Sequence, residues 1–197
     1  DAGPVRTVVA ADFDNDGREE LFYNALGDEN RLYERVDRAE GPPRWEPVDA
    51  GAAAEPDGFG TGAVATDLDG DGALELVVVH GEVAAQPTTV YADPNAADAG
   101  WLRVRPTTRH GAPARGAVVR LETTEGTQRR TIDAGGGCLC QTEPVAHFGL
   151  AGAEPLRVDV RWPDGRERSV VGPSGDSEIT VPHPSREAVP HPSRRAR

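Results

Sequence analysis

The nine residues Asp67-Leu68-Asp69-Gly70-Asp71-Gly72-Ala73-Leu74-Glu75 run directly into the apolar stretch Leu76-Val77-Val78-Val79. An earlier copy reads Asp12-Phe13-Asp14-Asn15-Asp16-Gly17-Arg18-Glu19-Glu20, followed by Leu21-Phe22-Tyr23-Asn24. Both copies place acids at positions 1, 3, 5 and 9 and glycine at position 6. Carboxylates about 4 Å apart repel by roughly 4 kcal/mol at an effective dielectric near 20, so the pattern asks for a cation. Ca²⁺ is suited to it, because it accepts six to eight oxygens in flexible geometry and the glycine allows the sharp turn that brings later ligands round. The spacing therefore predicts two calcium sites, with Asp12, Asp14, Asp16 and Glu20 at one and Asp67, Asp69, Asp71 and Glu75 at the other.

An EF-hand opens with the same acids but needs a bidentate Glu at position 12 and flanking helices. Position 12 is Tyr23 in one copy and Val78 in the other, and neither ligates a metal. The flanks are short and β-branched, which is a strand signal. Each loop is expected to join two strands.

Around the loops the chain repeats. Val5 to Ala11, Leu21 to Asn24, Arg31 to Glu34 and Arg44 to Glu46 form one set of short strand-like runs. Gly60 to Thr66, Leu74 to Val79 and Thr88 to Tyr91 form the second, and the two acidic loops start 55 residues apart. That period suits a propeller-type blade with a small insertion. The sequence Asp-x-Asp-x-Asp-Gly-x-x-Glu between strands resembles the FG-GAP or VCBS repeat of calcium-binding β-propellers. That resemblance adds the backbone carbonyls of Arg18 and Ala73 to the ligand sets. Two blades cannot close a propeller, so the resemblance implies a truncated ring, of seven blades in the full form, over residues 1–95. The chain opens Asp1-Ala2-Gly3-Pro4 with no charged or apolar leader, and reads as a C-terminal piece of a longer precursor.

Residues 96–100 read as a small polar linker. From Trp101 the runs Trp101 to Arg105, Gly116 to Leu121, Gln128 to Ile132 and Leu156 to Trp162 alternate apolar and polar residues, predicting a compact antiparallel β-sandwich or barrel over 101–181. Pro163-Asp164-Gly165-Arg166 predicts a hairpin turn with Asp-Gly as the positive-φ pair. The block from Gly135-Gly136-Gly137 to His147-Phe148-Gly149-Leu150 resembles the ASPIC and UnbV domain. The order of the two modules is similar to that of the cartilage acidic protein family, whose members are secreted. Val-Pro-His-Pro-Ser-Arg occurs at 181–186 and again at 189–194, and residues 182–197 lack core residues, which reads as a disordered tail. The fold class is thus all-β: two propeller blades followed by a small sandwich.

A net charge of −12 disfavours nucleic acid and anionic membranes as partners, and no stretch of 18 apolar residues is available to span a bilayer. Cys138 and Cys140 are too close for an unstrained disulfide, and without further ligands they do not make a zinc site. No Gly-x-Ser-x-Gly elbow is present, and no lysine follows the three glycines to build a phosphate cradle. His147 is expected in a turn, bonded to backbone, and the glycine run to mark a bulge or a close backbone approach. His80, at the end of a blade strand, lacks a second histidine to hold a catalytic metal. The expectation is a non-catalytic calcium-binding protein of the extracellular space, or of a bacterial periplasm or cell surface. It would act in adhesion or in interaction with a protein or glycan surface. The alternative is a hydrolase or carbohydrate-processing enzyme with its site in the propeller channel.

Overall fold

The computed structural model describes residues 3–133, 135–138 and 140–185. Within them the chain forms strands β1 (Val5–Ala11), β2 (Glu20–Ala25), β3 (Arg31–Val36), β4 (Arg44–Val48), β5 (Gly60–Thr66), β6 (Glu75–His80), β7 (Thr89–Tyr91), β8 (Trp101–Thr107), β9 (Val118–Thr123), β10 (Gly126–Thr131), β11 (Ala146–Gly149), β12 (Pro155–Arg161), β13 (Glu167–Val171) and β14 (Ser177–Pro182). The expected all-β class holds, and among the described residues only two short 3₁₀ turns, Gly51–Ala54 and Ala96–Ala99, interrupt the strands.

The repeat makes two antiparallel meanders. The first is ordered β1-β2-β3-β4, the second β5-β6-β7, and each acidic loop joins the first two strands of its sheet. Period-two alternation on β1 buries Thr7, Val9 and Ala11 and leaves Val8 and Ala10 outward. Val9 and Phe22 of the first meander meet Ala63, Leu74, Leu76 and Val78 of the second in one apolar cluster. That shared core sets the two sheets face to face, and a bridge between Leu26 and Phe59 ties them at the side.

The second module is a sandwich of two sheets, β10-β9-β12-β13 and β11-β8-β14. Leu102, Val104, Val119, Leu121, Phe148, Val158, Val160 and Val181, with Trp162, fill the space between them. One pair departs from the antiparallel expectation, since β14 runs parallel to β8. This places Ile179 and Val181 beside Val104 and Pro106, and the chain reaches the edge by a crossover instead of a hairpin. The β12–β13 turn also differs from the expected Asp-Gly pair. Only Gly165 has positive φ, at 86°, while the Asp164 carboxylate accepts from the Arg166 N–H.

Two stretches are better tied than their composition suggests. Residues 96–99 form a 3₁₀ turn with Ala96 buried, and its carbonyl accepts a bond from the first acidic loop. β14 ends at Pro182, and His183 beyond it is buried edge-on against Trp162, with Nε2 3.0 Å from Asp164. The remainder of the expected tail, 186–197, lies outside the described residues.

Candidate metal centres at the module junction

In the first loop the backbone is wound around its own side chains. The Oδ2 atom of Asp12 accepts the Gly17 N–H at 3.1 Å, Asp14 accepts the Asp16 N–H, and Asp16 accepts the Arg18 N–H. Glu20 reaches back to the Phe13 N–H at 2.8 Å. The turn needs left-handed backbone at Asn15 (φ 59°) and Gly17 (φ 91°). The result brings one oxygen each from Asp12, Asp14 and Glu20 within 4.8 Å of one another. Oxygens sharing one Ca²⁺ at 2.3–2.6 Å can stand about that far apart.

The second loop repeats the framework. Asp67 accepts the Gly70 N–H, Asp69 the Asp71 N–H, Asp71 the Ala73 N–H, and Glu75 reaches back to the Leu68 N–H at 2.7 Å. Here Asp67, Asp69 and Asp71 converge within 4.8 Å. The clusters therefore each contain three of the four acids expected. Asp16 stands outside the first and Glu75 outside the second. Arg18 and Ala73 lie in their loops with N–H groups turned to Asp16 and Asp71.

Burial separates the loops. Asp12 is 1% exposed, and its Oδ1 atom has no hydrogen-bond partner. Burial, opposed by Arg130 and the Gly149 N–H, pushes the Asp12 carboxyl up to about 7. Burial likewise pushes Glu20 up to about 8, and it raises Asp14. A buried carboxylate oxygen without a partner, facing two further carboxyls, is costly unless a cation compensates it. The donor set, all oxygen, is that of a hard cation such as Ca²⁺.

The loops also hold the two modules together. Asp12 Oδ2 accepts the N–H of Gly149, in β11, at 2.9 Å. Asn15, wholly buried, donates from Nδ2 to the carbonyls of Gly72 (3.0 Å) and Ala96 (2.9 Å). Its Oδ1 lies 2.7 Å from His147 Nε2, and its backbone carbonyl accepts from Ala151. One side chain thus joins both acidic loops, the 3₁₀ turn and the sandwich. In the second loop Asp67 pairs with Arg103 of β8, which also binds Glu143 at 2.5 Å. Gly72 packs so closely on Trp101 that a Cβ there would stand 2.0 Å from the indole.

These cross-module residues escape a local reading. Asn at position 4 of the first loop signals tolerance of left-handed backbone, but nothing nearby shows where its amide points. His147 lies in strand β11 and faces a side chain, not in a turn bonded to backbone as expected. The glycine run does bring a close approach: a Cβ on Gly137 would lie 2.2 Å from Thr7, whose hydroxyl accepts the Cys138 N–H. Cys138 and Cys140 are free thiols in irregular backbone, and burial raises the Cys140 thiol. His80 has both ring nitrogens engaged, with Pro87 O at 2.7 Å and Glu55 at 2.9 Å.

The family model described as FG-GAP-like repeat matches residues 12–78, a span containing both loops, and the ASPIC and UnbV model matches 107–188. Cartilage acidic protein 1 of Mus musculus is 48% identical over 191 residues, covering 93% of this chain and 30% of the relative. The Homo sapiens protein of the same name is 47% identical over 191 residues, covering 93% and 29%. That of Xenopus tropicalis is 45% identical over 188 residues, covering 92% and 29%. The chain belongs to the cartilage acidic protein family. It spans less than a third of the length of these curated relatives. In this cartilage acidic protein homologue, the bonds of Asp12 with Gly149 and of Asn15 with His147 and Ala151 join its two family modules, FG-GAP-like on one side and ASPIC and UnbV on the other. Among the described residues of this family member, no helix is long and apolar enough to cross a membrane.

Proposed function

We propose that the chain is a non-catalytic, extracellular calcium-binding unit whose two ions stiffen a surface used in adhesion or in binding a protein or glycan partner. The observation that carries this reading is Asp12. Its Oδ2 is committed to Gly17 and Gly149, while its Oδ1 is buried without a partner beside Asp14 and Glu20. The side chains of Asp12, Asp14, Asp16 and Glu20, with the Arg18 carbonyl, would hold one ion. Asp67, Asp69, Asp71 and Glu75, with the Ala73 carbonyl, would hold the other. Bound calcium would supply positive charge that keeps these carboxylates ionised in a poorly hydrated site.

The protein supplies the rest. The loops keep one Asp12 oxygen for the sandwich and leave the other for the ion, so filling the loop and docking the second module become mutually favourable. Extracellular modules of this kind bind calcium with dissociation constants of about 10⁻⁴ to 10⁻³ M. The name of the mouse and human relatives, cartilage acidic protein 1, agrees with an extracellular setting. His80, with both nitrogens occupied, offers no open position for a catalytic metal.

The test combines calorimetric calcium titration with binding to immobilised matrix protein and glycan arrays, in calcium and in EDTA. Two sites per chain and partner binding lost in EDTA are expected. No calcium uptake would overturn the metal reading. Equal partner binding in both media would remove calcium from the interaction.

A further inference from the structure

The sandwich sets an arginine beside each acidic loop, and the two loops meet it differently. In the first, Arg130 of β10 stands 3.5 Å from Asp12 Oδ2, the oxygen already taken by the Gly17 and Gly149 N–H groups. The other Asp12 oxygen has no partner. In the second loop Asp67 holds the matching position, and both of its oxygens are committed. Its Oδ1 accepts the Gly70 N–H at 2.7 Å, and its Oδ2 accepts from Arg103 Nη1. This pair is buried, with the Asp67 side chain 1% and the Arg103 side chain 8% exposed.

The fold holds Arg103 in that place. It lies on β8, the central strand of its sheet, opposite His147 of β11 and Glu178 of β14. Its Nη2 reaches Glu143 at 2.5 Å and Glu178 at 3.5 Å. The guanidinium can therefore give up Asp67 and still keep two acids within reach.

A guanidinium bonded to a ligand carboxylate opposes a cation in two ways. It takes up lone pairs that the ion would use, and its charge repels the ion where little water screens it. Calcium affinity follows the count of ligand charges, and Arg103 offsets one of the three supplied by Asp67, Asp69 and Asp71. Asp69 and Asp71 are exposed, so water already weakens their pull.

We propose that Arg103 sets the calcium affinity of the second loop: its guanidinium competes with the ion for Asp67, so that this loop fills at higher calcium than the first. The inference rests on the calcium reading above and concerns only how the two loops share the ion. It also gives the loops opposite relations to the sandwich. In the first, the ion and Gly149 use different oxygens of Asp12, and each favours the other. In the second, the ion and Arg103 contend for Asp67, and by reciprocity the ion loosens that contact as much as the contact weakens the ion.

A calcium titration of the whole chain followed by ¹⁵N NMR tests this, because the Gly17 and Gly70 amides report the two loops separately. It is run at pH 9, above the values of about 7 and about 8 to which burial raises Asp12 and Glu20, so that protons do not bias the comparison. The Gly70 midpoint should lie about ten- to a hundredfold above that of Gly17, the ratio that one hydrogen bond between charged groups supplies. In Arg103→Gln the Gly70 midpoint should fall by about tenfold while that of Gly17 stays within about twofold of the parent. Equal midpoints in the parent, or a Gly70 midpoint that Arg103→Gln leaves in place or raises, would overturn the proposal. Should Arg103→Gln fail to fold, the parent decides: the Arg103 Nε–H signal should move with Gly70 and not with Gly17, and a signal that stays still through both steps overturns it. No calcium response at either glycine would sink the calcium reading together with this one, whereas two equal sites would sink this one alone.

Discussion

The imidazole of His147 and the amide of Asn15 meet at 2.7 Å, a contact between residues 132 positions apart that crosses from the sandwich to the first acidic loop. Asn15 holds three further partners from three other segments. Replacing it with Ala should strand two buried carbonyls and the His147 N–H, at about 1–3 kcal/mol for each group left unsatisfied, and force a Cβ residue into left-handed backbone. A total loss of at least about 4 kcal/mol is expected by urea unfolding. Asn15→Gly relaxes the backbone and should recover about 1 kcal/mol of it. Equal stability of Asn15→Ala and the parent would show that the junction does not depend on this residue.

Asp69 tests the ligand assignment without touching the sandwich. With calcium at 100 times the dissociation constant, an occupied site adds roughly 2.7 kcal/mol, worth about 5–10 °C in a domain of this size. Asp69→Ala should lose most of that in calcium and almost nothing in EDTA, because the side chain is exposed and its one bond is a local turn to Asp71. Thermal melts of both proteins in both media give the answer, and an equal loss in each would remove Asp69 from the ligand set.

The acidity of the loop gives a pH signature. Without metal, Asp12 and Glu20 keep protons up to about 7 and about 8 in the fold because burial disfavours their charge, whereas the unfolded chain ionises them near 4. A folded pKa above the unfolded one contributes stability that is whole below the unfolded value and is lost as pH rises through the folded one. In EDTA the unfolding free energy should therefore fall between pH 6.5 and 8, by on the order of 1 kcal/mol per pH unit, and the melting temperature with it. Saturating calcium should flatten or reverse this trend, since a bound cation favours the ionised carboxylates. His147 acts in a lower window with the opposite sign. Its folded pKa of about 3 lies below the unfolded 6.5, so its contribution is present above 6.5 and lost as pH falls towards 3. A melting temperature that rises from pH 6.5 to 8 in EDTA would contradict burial of the Asp12 and Glu20 carboxyls.

Gly72 and Trp101 form a steric pair. Gly72→Ala places a methyl where the indole stands and a side chain at φ 86°. It should cost several kcal/mol, of which about 1–2 belongs to the backbone. In a Trp101→Ala background the steric part disappears, so a double-mutant cycle should show a coupling of at least about 1 kcal/mol. Additive effects would mean that the ring does not rest on this loop.

Much of this arrangement was legible from residue order, and the rest depended on distance along the chain. The repeated acids, the alternation on β1 and β9 and the change of character at Trp101 are local signals, and the strands follow them. The parallel β14 was hidden because Ile179 and Val181 read the same against either partner direction, and only the fold decides which edge they reach. Asp12 was legible as an acid in a loop. That Gly149 would donate to it was not, because the two lie 137 positions apart and glycine carries no side chain to advertise the contact. Spacing also admits Asp16 and Glu75, which stand outside the clusters, while Asp71 and Glu20, at the equivalent positions of the other copy and with the same kind of backbone bond, stand inside.

The four-way bonding of Asn15 also bears on how such proteins can be recombined. A sandwich transplanted onto a foreign repeat array would arrive with the His147 N–H and the Ala151 N–H lacking their acceptors, and with Gly149 facing whatever residue the host puts in that turn. Exchange of parts should succeed only when the cut falls before Val5, so that both acidic turns travel with the sandwich as a single heritable cassette.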